Sequence, residues 1–545
     1  MYIFSVIPIQ KGVPFNTLTY FSADDALIGS LLSVPFGKQT IYGVLYQKQT
    51  LLDAKADVKQ SKFSLKKVHK IVGHSAFLEG IAEGLVQASA QTLTPVGALA
   101  GTVLNELFFE LFQQSDEDHK LLPKENLVSY GLLASRTDEY KRIIRSAFAE
   151  KKSVILVAPS IRALEAWYGV LKKGITAHSL ILHSKCTKKN QKLALTEIKQ
   201  SKRPLFICAT PAYALIPRKD VTTIILEDES STLYKTQDRY ETDMRVVLSS
   251  VAKACGLRLV YGDTLPRFET LITAEKTLSR SFTPDKLVVV PVDQYRTLLP
   301  TEAVELIRYA QKNKKSVFLY TNRKGLAPLS RCADCGFVVS CPTCELPMVL
   351  RYKRTATLER ERFFICTHCG ETRTPDYTCG YCGSWNITPV SIGTESIAEA
   401  VAPIVGKEKI IVIDDDLTPD AKTIESLIET AQKQKFFVMI GTQKILPFIK
   451  AIDFSIIPFF DRLLSTPSPY TVEETLRLIV KLNEYTKDSL VICTKNPDFP
   501  ITKQLATKKI QTILEEDTEL RRLLKYPPFG VLLKLSVSVV PSHKD

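Results

Sequence analysis

Eight of the twelve cysteines in this chain fall into four C-x-x-C pairs: Cys332 with Cys335, Cys341 with Cys344, Cys366 with Cys369, and Cys379 with Cys382. Each pair sets two thiolates on one tight turn, and two such turns complete the tetrahedral sulfur shell that zinc prefers. Eight ligands therefore predict two zinc ions. Full coordination by protein leaves no open position for a substrate, so these ions would hold structure rather than carry out chemistry. A redox centre would show one such pair beside a βαβ unit, and an iron–sulfur centre a different spacing. Cys186, Cys208, Cys255 and Cys493 lie in apolar or mixed segments and read as ordinary thiols.

A second chemical feature is "TIILEDESSTLYKTQDRY", Thr223 to Tyr240, in which a strand-like apolar run ends on Glu227, Asp228 and Glu229. Carboxylates placed this way hold magnesium when a phosphate is supplied opposite them, which makes Asp228 and Glu229 candidate metal and water ligands. The usual phosphate cradle is G-x-x-x-x-G-K-[ST], and nothing in the chain matches it. A third feature lies between the second and third cysteine pairs. In "MVLRYKRTATLERERFF", Arg351, Lys353, Arg354, Arg360 and Arg362 face only two acids. One reading is a hairpin that offers Arg351, Lys353, Arg354 and Tyr352 to a phosphate backbone. The other is a solvated hairpin that joins two zinc turns.

These residues need a scaffold, and at 545 residues three or more domains are expected. Apolar residues make up 45% and charged residues 24%, the balance of a folded chain rather than a disordered one. Lys and Arg outnumber Asp and Glu by 72 to 58, giving a net charge of +14 and a pI near 9.0. Such an excess favours a polyanionic partner, with nucleic acid first. No apolar run approaches the roughly 18 residues that span a bilayer, and "MYIFSVIPIQKGVPF" lacks the plan of a signal peptide. A cytoplasmic protein with no membrane partner is expected, in a compartment where cysteine pairs mark metal rather than disulfides.

Residues 1–74 alternate short apolar runs with turn signals, as in "LLSVPFGKQTIYGVLY", and predict a small β domain. Helical periodicity broken at "TLTPVG" predicts a small helical domain over 75–115, followed by a charged linker over 116–126. Over 127–285, the runs "SVILVAP", "PLFICAT", "TTIILED" and "RLVYGD" alternate with helical segments, which predicts a parallel sheet with crossover helices. A second lobe of the same kind is predicted over 286–330 and 386–515 from "SVFLYTN", "KIIVIDDD", "FFVMIGT", "FSIIPF" and "SLVICTK". The cysteine block, 331–385, is inserted into it, and 516–545 reads as the start of a further domain.

In this arrangement the chain resembles the PriA-type primosomal helicases, superfamily 2 enzymes that restart stalled replication forks. A cysteine insert of this kind sits within their second lobe. "VPFGK" (Val34–Lys38), "LHS" (Leu182–Ser184), "ATPAYAL" (Ala209–Leu215), "TNRKGLAP" (Thr321–Pro328), "GTE" (Gly393–Glu395), "IGTQ" (Ile440–Gln443) and "YPPFG" (Tyr526–Gly530) follow in that family's order. The resemblance covers nearly the whole chain. It implies two RecA-like helicase lobes, a winged-helix-like helical domain, and an N-terminal domain that holds DNA 3′ ends at the turn containing Gly37 and Lys38. It also implies a nested zinc pairing: Cys332, Cys335, Cys379 and Cys382 on one ion, and Cys341, Cys344, Cys366 and Cys369 on the other. The family's aromatic-rich loop, which couples DNA contact to the ATPase, would be carried by Tyr234, Lys235, Gln237, Arg239 and Tyr240. Tyrosines that stack on bases and basic residues on phosphates suit that composition; an ordinary polar loop is the plainer reading.

The chain departs from the family where phosphoryl transfer is done. At the place of the P-loop it reads "SYGLLASRTDEYKRIIRSAF", in which Gly131 is followed by no second glycine and no Gly-Lys-Thr. The Asp-Glu-x-His pattern becomes Glu227, Asp228, Glu229 and Ser230. The helix expected to carry arginines for the γ-phosphate reads "VEETLRLIVKLNEYT", with Arg477 alone, and the "GSATPS"-like turn becomes "GDTLPRFE". In the end-binding pocket, the aromatic and acidic pair is answered by Leu18 and Thr19, so only Gly37 matches clearly. The reading adopted is a PriA-like protein that binds forked or single-stranded DNA as a monomer. It would work beside other replication-restart or single-strand-binding proteins, with ATP and Mg²⁺ no longer used. An active 3′-to-5′ helicase with an unusual nucleotide site, and a protein-binding scaffold whose charge is incidental, are the alternatives.

Overall fold

A computed structural model of the chain describes residues 1–53, 65–114, 126–131, 133–279, 284–292, 299–321, 329–335, 337, 339, 341–343, 348–354, 360–366, 370–374, 378–390, 394–413, 421–449, 451–464 and 468–533. They form two compact units, Met1–Phe282 and Thr283–Asp545.

The first unit opens with β1 (Tyr2–Ile9), β2 (Leu18–Ser22), β3 (Ser30–Phe36), β4 (Gln39–Thr50), β5 (Lys66–Lys67) and β6 (Lys70–His74), ordered β5-β2-β1-β4-β3-β6 in one sheet. The turn between β3 and β4 is Gly37–Lys38, and Gly37 takes φ +59°, a conformation that glycine reaches without a Cβ clash. Helices α1 (Ala76–Thr92) and α2 (Val96–Val103) follow, matching the helical period of that segment.

The first lobe is a seven-stranded, wholly parallel sheet. Its elements are β7 (Asn126–Tyr130), α3 (Leu133–Ala149), β8 (Ser153–Val157), α4 (Ile161–Leu171), β9 (Ser179–Leu182), α5 (Lys188–Gln200), β10 (Phe206–Ala209), β11 (Val221–Glu227), α6 (Met244–Ala254), β12 (Arg258–Asp263), α7 (Phe268–Thr273) and β13 (Lys276–Ser279). The strand order is β13-β7-β12-β11-β8-β10-β9. Every residue of β8 and β11 is buried, as expected for central strands covered on both faces by crossover helices. The four strands expected here from the sequence are β8, β10, β11 and β12.

The second unit carries another wholly parallel sheet, ordered β14-β24-β23-β15-β22-β21. Its elements are β14 (Leu287–Pro291), α8 (Thr301–Lys312) and β15 (Val317–Tyr320), then, after the insert, α9 (Thr394–Val405), β21 (Ile410–Ile413), α10 (Ala421–Gln432), β22 (Val438–Gly441), β23 (Ile452–Ile457), α11 (Phe460–Leu464), α12 (Thr471–Tyr485), β24 (Thr486–Thr494), α13 (Pro500–Ala506) and α14 (Ile510–Leu524). Helix α14 runs across the expected boundary at 515/516. It is tied to α12 by the buried Arg521, which donates to Glu473 at 2.7 Å and to Asp517 at 2.7 Å. The insert holds β16 (Leu329–Cys332), β17 (Met348–Arg354), β18 (Arg360–Cys366), β19 (Thr372–Arg373) and β20 (Ile387–Val390); β16 pairs antiparallel with β20, and β17 with β18.

In the first unit, α1 lies on α6 through glycine. A Cβ on Gly84 would meet Val251 Cα at 2.5 Å and its amide nitrogen at 2.8 Å, both backbone atoms that cannot swing aside. Gly84→Ala is expected to cost about 1–3 kcal/mol, read as a lower first midpoint in thermal unfolding. Gly169→Ala, in α4 with open space around the new methyl group, is expected to add about 0.5–1 kcal/mol of stability and so to raise that midpoint slightly.

Candidate functional site

The end of β11 is built around a buried carboxylate. Glu227 closes the strand with its side chain on the first turns of α3, where Arg136 Nη2 lies 3.2 Å from Glu227 Oε1 and the Tyr140 hydroxyl donates to Glu227 Oε2. Arg136 also donates to the Gly131 carbonyl and to Thr264 Oγ1, each at 3.3 Å, and stacks over Trp167 at 5.7 Å. Tyr140 packs on Trp167 with ring centroids 5.1 Å apart. All four of these side chains are buried. Beside them, Gly262 is required, because any Cβ would run into the Tyr140 hydroxyl. Burial pushes the Glu227 carboxyl up to about 7, although Arg136 and Tyr140 pull it down.

The next carboxylates serve different purposes. Asp228 takes φ +54°. Glu229, the second carboxylate of the remnant acidic motif, is fully buried. It accepts from Arg267 Nε at 2.6 Å, the Arg267 amide at 2.9 Å and Thr270 Oγ1 at 2.7 Å. An ion pair and two further hydrogen bonds engage its carboxylate within the fold, as suits a remnant acidic motif. Arg245 donates to the Glu229 carbonyl at 2.5 Å and clasps Asp243 through Nε at 2.8 Å and Nη2 at 2.6 Å. Asp243 also lies 3.6 Å from Arg267, so one network holds both ends of the Ser230–Asp243 segment. Asp263, from "GDTLPRFE", accepts from the amides of Ser230 at 2.8 Å and Thr264 at 2.6 Å. On α12, the Arg477 guanidinium is paired with the buried Glu473.

Among the expected nucleic-acid contacts, Tyr234 is corrected. It is fully buried, with its hydroxyl directed to the carbonyls of Glu227 at 2.8 Å and Val157 at 3.1 Å, so its ring is not offered to a base. Lys235, Gln237 and Arg239 are exposed and Tyr240 is half-buried, on a loop closed by the Thr236 amide donating to the Thr242 carbonyl at 2.9 Å. Gly37 and Lys38 are exposed at the β3–β4 turn. Arg351, Lys353 and Arg354 lie on β17, opposite Phe363, Glu361 and Arg360 of β18. The hairpin reading of that segment describes its backbone.

In the insert, the sulfurs of Cys332, Cys335, Cys379 and Cys382 lie within 4.8 Å of one another. Cys332 is 3.5 Å from Cys382, and Cys335 is 3.5 Å from Cys379. Zinc–sulfur bonds of about 2.3 Å in a tetrahedron put sulfurs about 3.8 Å apart, so this donor set fits zinc. The Cys332 amide donates to the Phe337 carbonyl at 2.8 Å, and the Cys379 amide donates to the Ser384 carbonyl at 2.7 Å, which folds each turn around its thiolates. Cys341 and Cys366 are buried together with Val339, Met348 and Phe364, while Cys344 and Cys369 lie outside the described residues.

Comparison with known proteins is consistent with this arrangement. No protein-family model matches the chain. Replication restart protein PriA of Treponema pallidum is 21% identical over 97% of this chain and 85% of its own length. That of Rickettsia prowazekii is 23% identical over 98% and 86%, and that of Haemophilus influenzae 23% over 73% and 56%. The chain is similar to PriA at low identity over most of its length. It spans little more than half the length of some of these relatives, the Haemophilus protein among them. Among solved structures, RecG bound to a three-way DNA junction aligns with 86% of this chain and 48% of its own, at 11% identity and a TM-score of 0.40. No helix among the described residues is long and apolar enough to cross a membrane.

Sequence reasoning missed Arg136, Tyr140, Trp167 and Arg267. A signal was available for one of them, because an arginine stands five residues past Gly131 where a longer phosphate-binding turn is absent.

Two outcomes follow from these sites. The Glu227 proton is held more tightly in the folded chain than in the unfolded one, so its stabilisation is full below about pH 4.5 and is lost as pH rises towards about 7. Between those limits the slope is at most about 1.4 kcal/mol per pH unit. Glu227→Gln is expected to flatten that part of the stability–pH curve, measured by denaturant unfolding at fixed temperature. For the cysteine cluster, Cys335→Ser is expected to lower tightly bound zinc by about one ion per chain, counted by elemental analysis after dialysis.

Proposed function

We propose that this chain is a PriA-like DNA-binding protein of replication restart that recognises forked or single-stranded DNA and has given up ATP-driven translocation. The observation that carries the reading is Arg136. A nucleotide motor keeps the carboxylate at this strand end for magnesium and keeps the turn opposite it open for phosphates. Here the turn is short, and a buried guanidinium occupies the carboxylate from within. The sequestered Glu229 and the pairing of Arg477 with Glu473 support the same reading, since cradle, acid and arginine act jointly in phosphoryl transfer.

DNA binding is supported by the relationship to PriA, the net charge of +14 and the exposed Lys235, Gln237, Arg239 and Tyr240. Gly37 and Lys38 would receive a strand end, and Arg351, Lys353 and Arg354 would add phosphate contacts from the insert. Two structural zinc ions are proposed, the second on Cys341, Cys344, Cys366 and Cys369. The protein would act in the cytoplasm as a monomer, alongside other restart or single-strand-binding proteins.

The test is ATP hydrolysis by the zinc-loaded protein with and without forked DNA, with DNA binding recorded on the same sample. The expected result is no DNA-stimulated turnover together with fork binding that is steeply salt-sensitive. Four neutralised phosphates would weaken it by about a hundredfold between 50 and 200 mM salt. Turnover abolished by replacing Asp228 and Glu229 would return the chain to the motor enzymes. Absence of salt-sensitive DNA binding would point to a protein-binding scaffold.

A further inference from the structure

The β3–β4 turn at Gly37 and the loop Lys235–Tyr240 are far apart in sequence, and a third segment joins them in space. It is the turn Gln10–Asn16 between β1 and β2. At one end, Phe36, the neighbour of Gly37, meets Phe15 edge to face with centroids 6.4 Å apart. At the other, Arg239 Nη2 donates to the Gly12 carbonyl at 3.4 Å, donates to the Tyr240 hydroxyl at 2.6 Å, and lies over the Tyr240 ring at 4.7 Å. Lys11, Gly12 and Phe15 are exposed, Phe15 to 46%.

Helix α2 holds the turn in place. A Cβ on Gly97 would stand 2.6 Å from the Phe15 carbonyl oxygen, and one on Gly101 would run into the backbone of Gln10 and Lys11. The Gly97 amide donates to the Phe15 carbonyl at 3.1 Å, and the Val96 amide to Asn16 Oδ1 at 3.2 Å. Just before α2, Thr94 Oγ1 meets Thr242 Oγ1 at 2.9 Å, which fixes the base of the Lys235–Tyr240 loop to the same helix. The acid within that loop, Asp238, accepts from Thr236 Oγ1 at 2.9 Å and from the Tyr240 amide at 3.0 Å, so its charge is engaged in shaping the loop.

We propose that the Gly37–Lys38 turn, the Lys11–Phe15 turn and the Lys235–Tyr240 loop form one continuous track for a single nucleic-acid strand. Basic residues for the backbone (Lys38, Lys11, Arg239) alternate along it with aromatic rings for the bases (Phe36, Phe15, Tyr240), the composition of a single-strand stacking platform. The track rests on the reading that this protein binds single-stranded DNA, and it adds that the two expected contact points grip the same strand.

The test compares binding of a short and a long oligo-dT, about 5 and about 16 nucleotides, to the full zinc-loaded chain and to its Phe15→Ala and Arg239→Ala variants. Both side chains are exposed, and circular dichroism with zinc content checks that each variant is folded. The long strand is expected to bind one to one and roughly tenfold or more tighter than the short one. Each substitution is expected to remove most of that advantage, so that within each variant the long strand binds no more than about threefold tighter than the short one. A length advantage that survives both substitutions, or two long strands binding at once, would overturn the track while leaving DNA binding intact. Failure of the unaltered chain to bind either strand would overturn the reading on which the track rests.

Discussion

A carboxylate buried at the end of a central parallel strand needs a positive charge within reach, because an uncompensated charge in that environment costs several kcal/mol. In this chain the charge that meets Glu227 is Arg136, and much of the first lobe is arranged around that pair. Trp167 covers the guanidinium, Tyr140 takes the second carboxylate oxygen, and Gly262 leaves room for the Tyr140 hydroxyl. Arg136 is further held by the Gly131 carbonyl and Thr264 Oγ1. On the reading proposed here, the same acid that a motor reserves for a metal has been closed off by its own polypeptide.

The second buried acid extends this rigidity. Glu229 ties β11 to the start of α7 through Arg267 and Thr270, and Arg245 and Asp243 carry the connection to the foot of the loop that bears Lys235 and Arg239. In a motor, those segments must move relative to one another as nucleotide state changes. Buried, charge-assisted hydrogen bonds between them favour one geometry instead. A loop set in this way, and braced through Thr242 on Thr94 just before α2, is held at its base by the same network. The second unit uses the same device, with the buried Arg521 joining α14 to Glu473 of α12.

Strand periodicity read the two parallel sheets well, since the runs around Ile155, Ile207, Ile225 and Val260 are all central strands. The strands β7 (NLVSY), β9 (SLIL) and β13 (KTLS) of the first sheet were not among the runs read in that way. Reading chemistry from the same residues was less reliable. Tyr234 and Tyr240 look equivalent in "TLYKTQDRY", yet one supports β11 from beneath while the other lies at the surface beside Arg239. Glu227, Asp228 and Glu229 stand together in sequence, yet Glu227 meets Arg136 and Tyr140 while Glu229 belongs to a different network with Arg267 and Thr270.

The sequence by itself determined what depends on neighbours along the chain. C-x-x-C spacing sets two thiolates on one turn, and apolar runs of strand length make strands. The tertiary structure decided which distant groups share a buried charge. The hydroxyl on Glu227 comes from Tyr140, 87 residues earlier, and the cation on it comes from the same helix. Such pairings follow from where the packed sheet and helices leave space and exclude water, which no local spacing encodes.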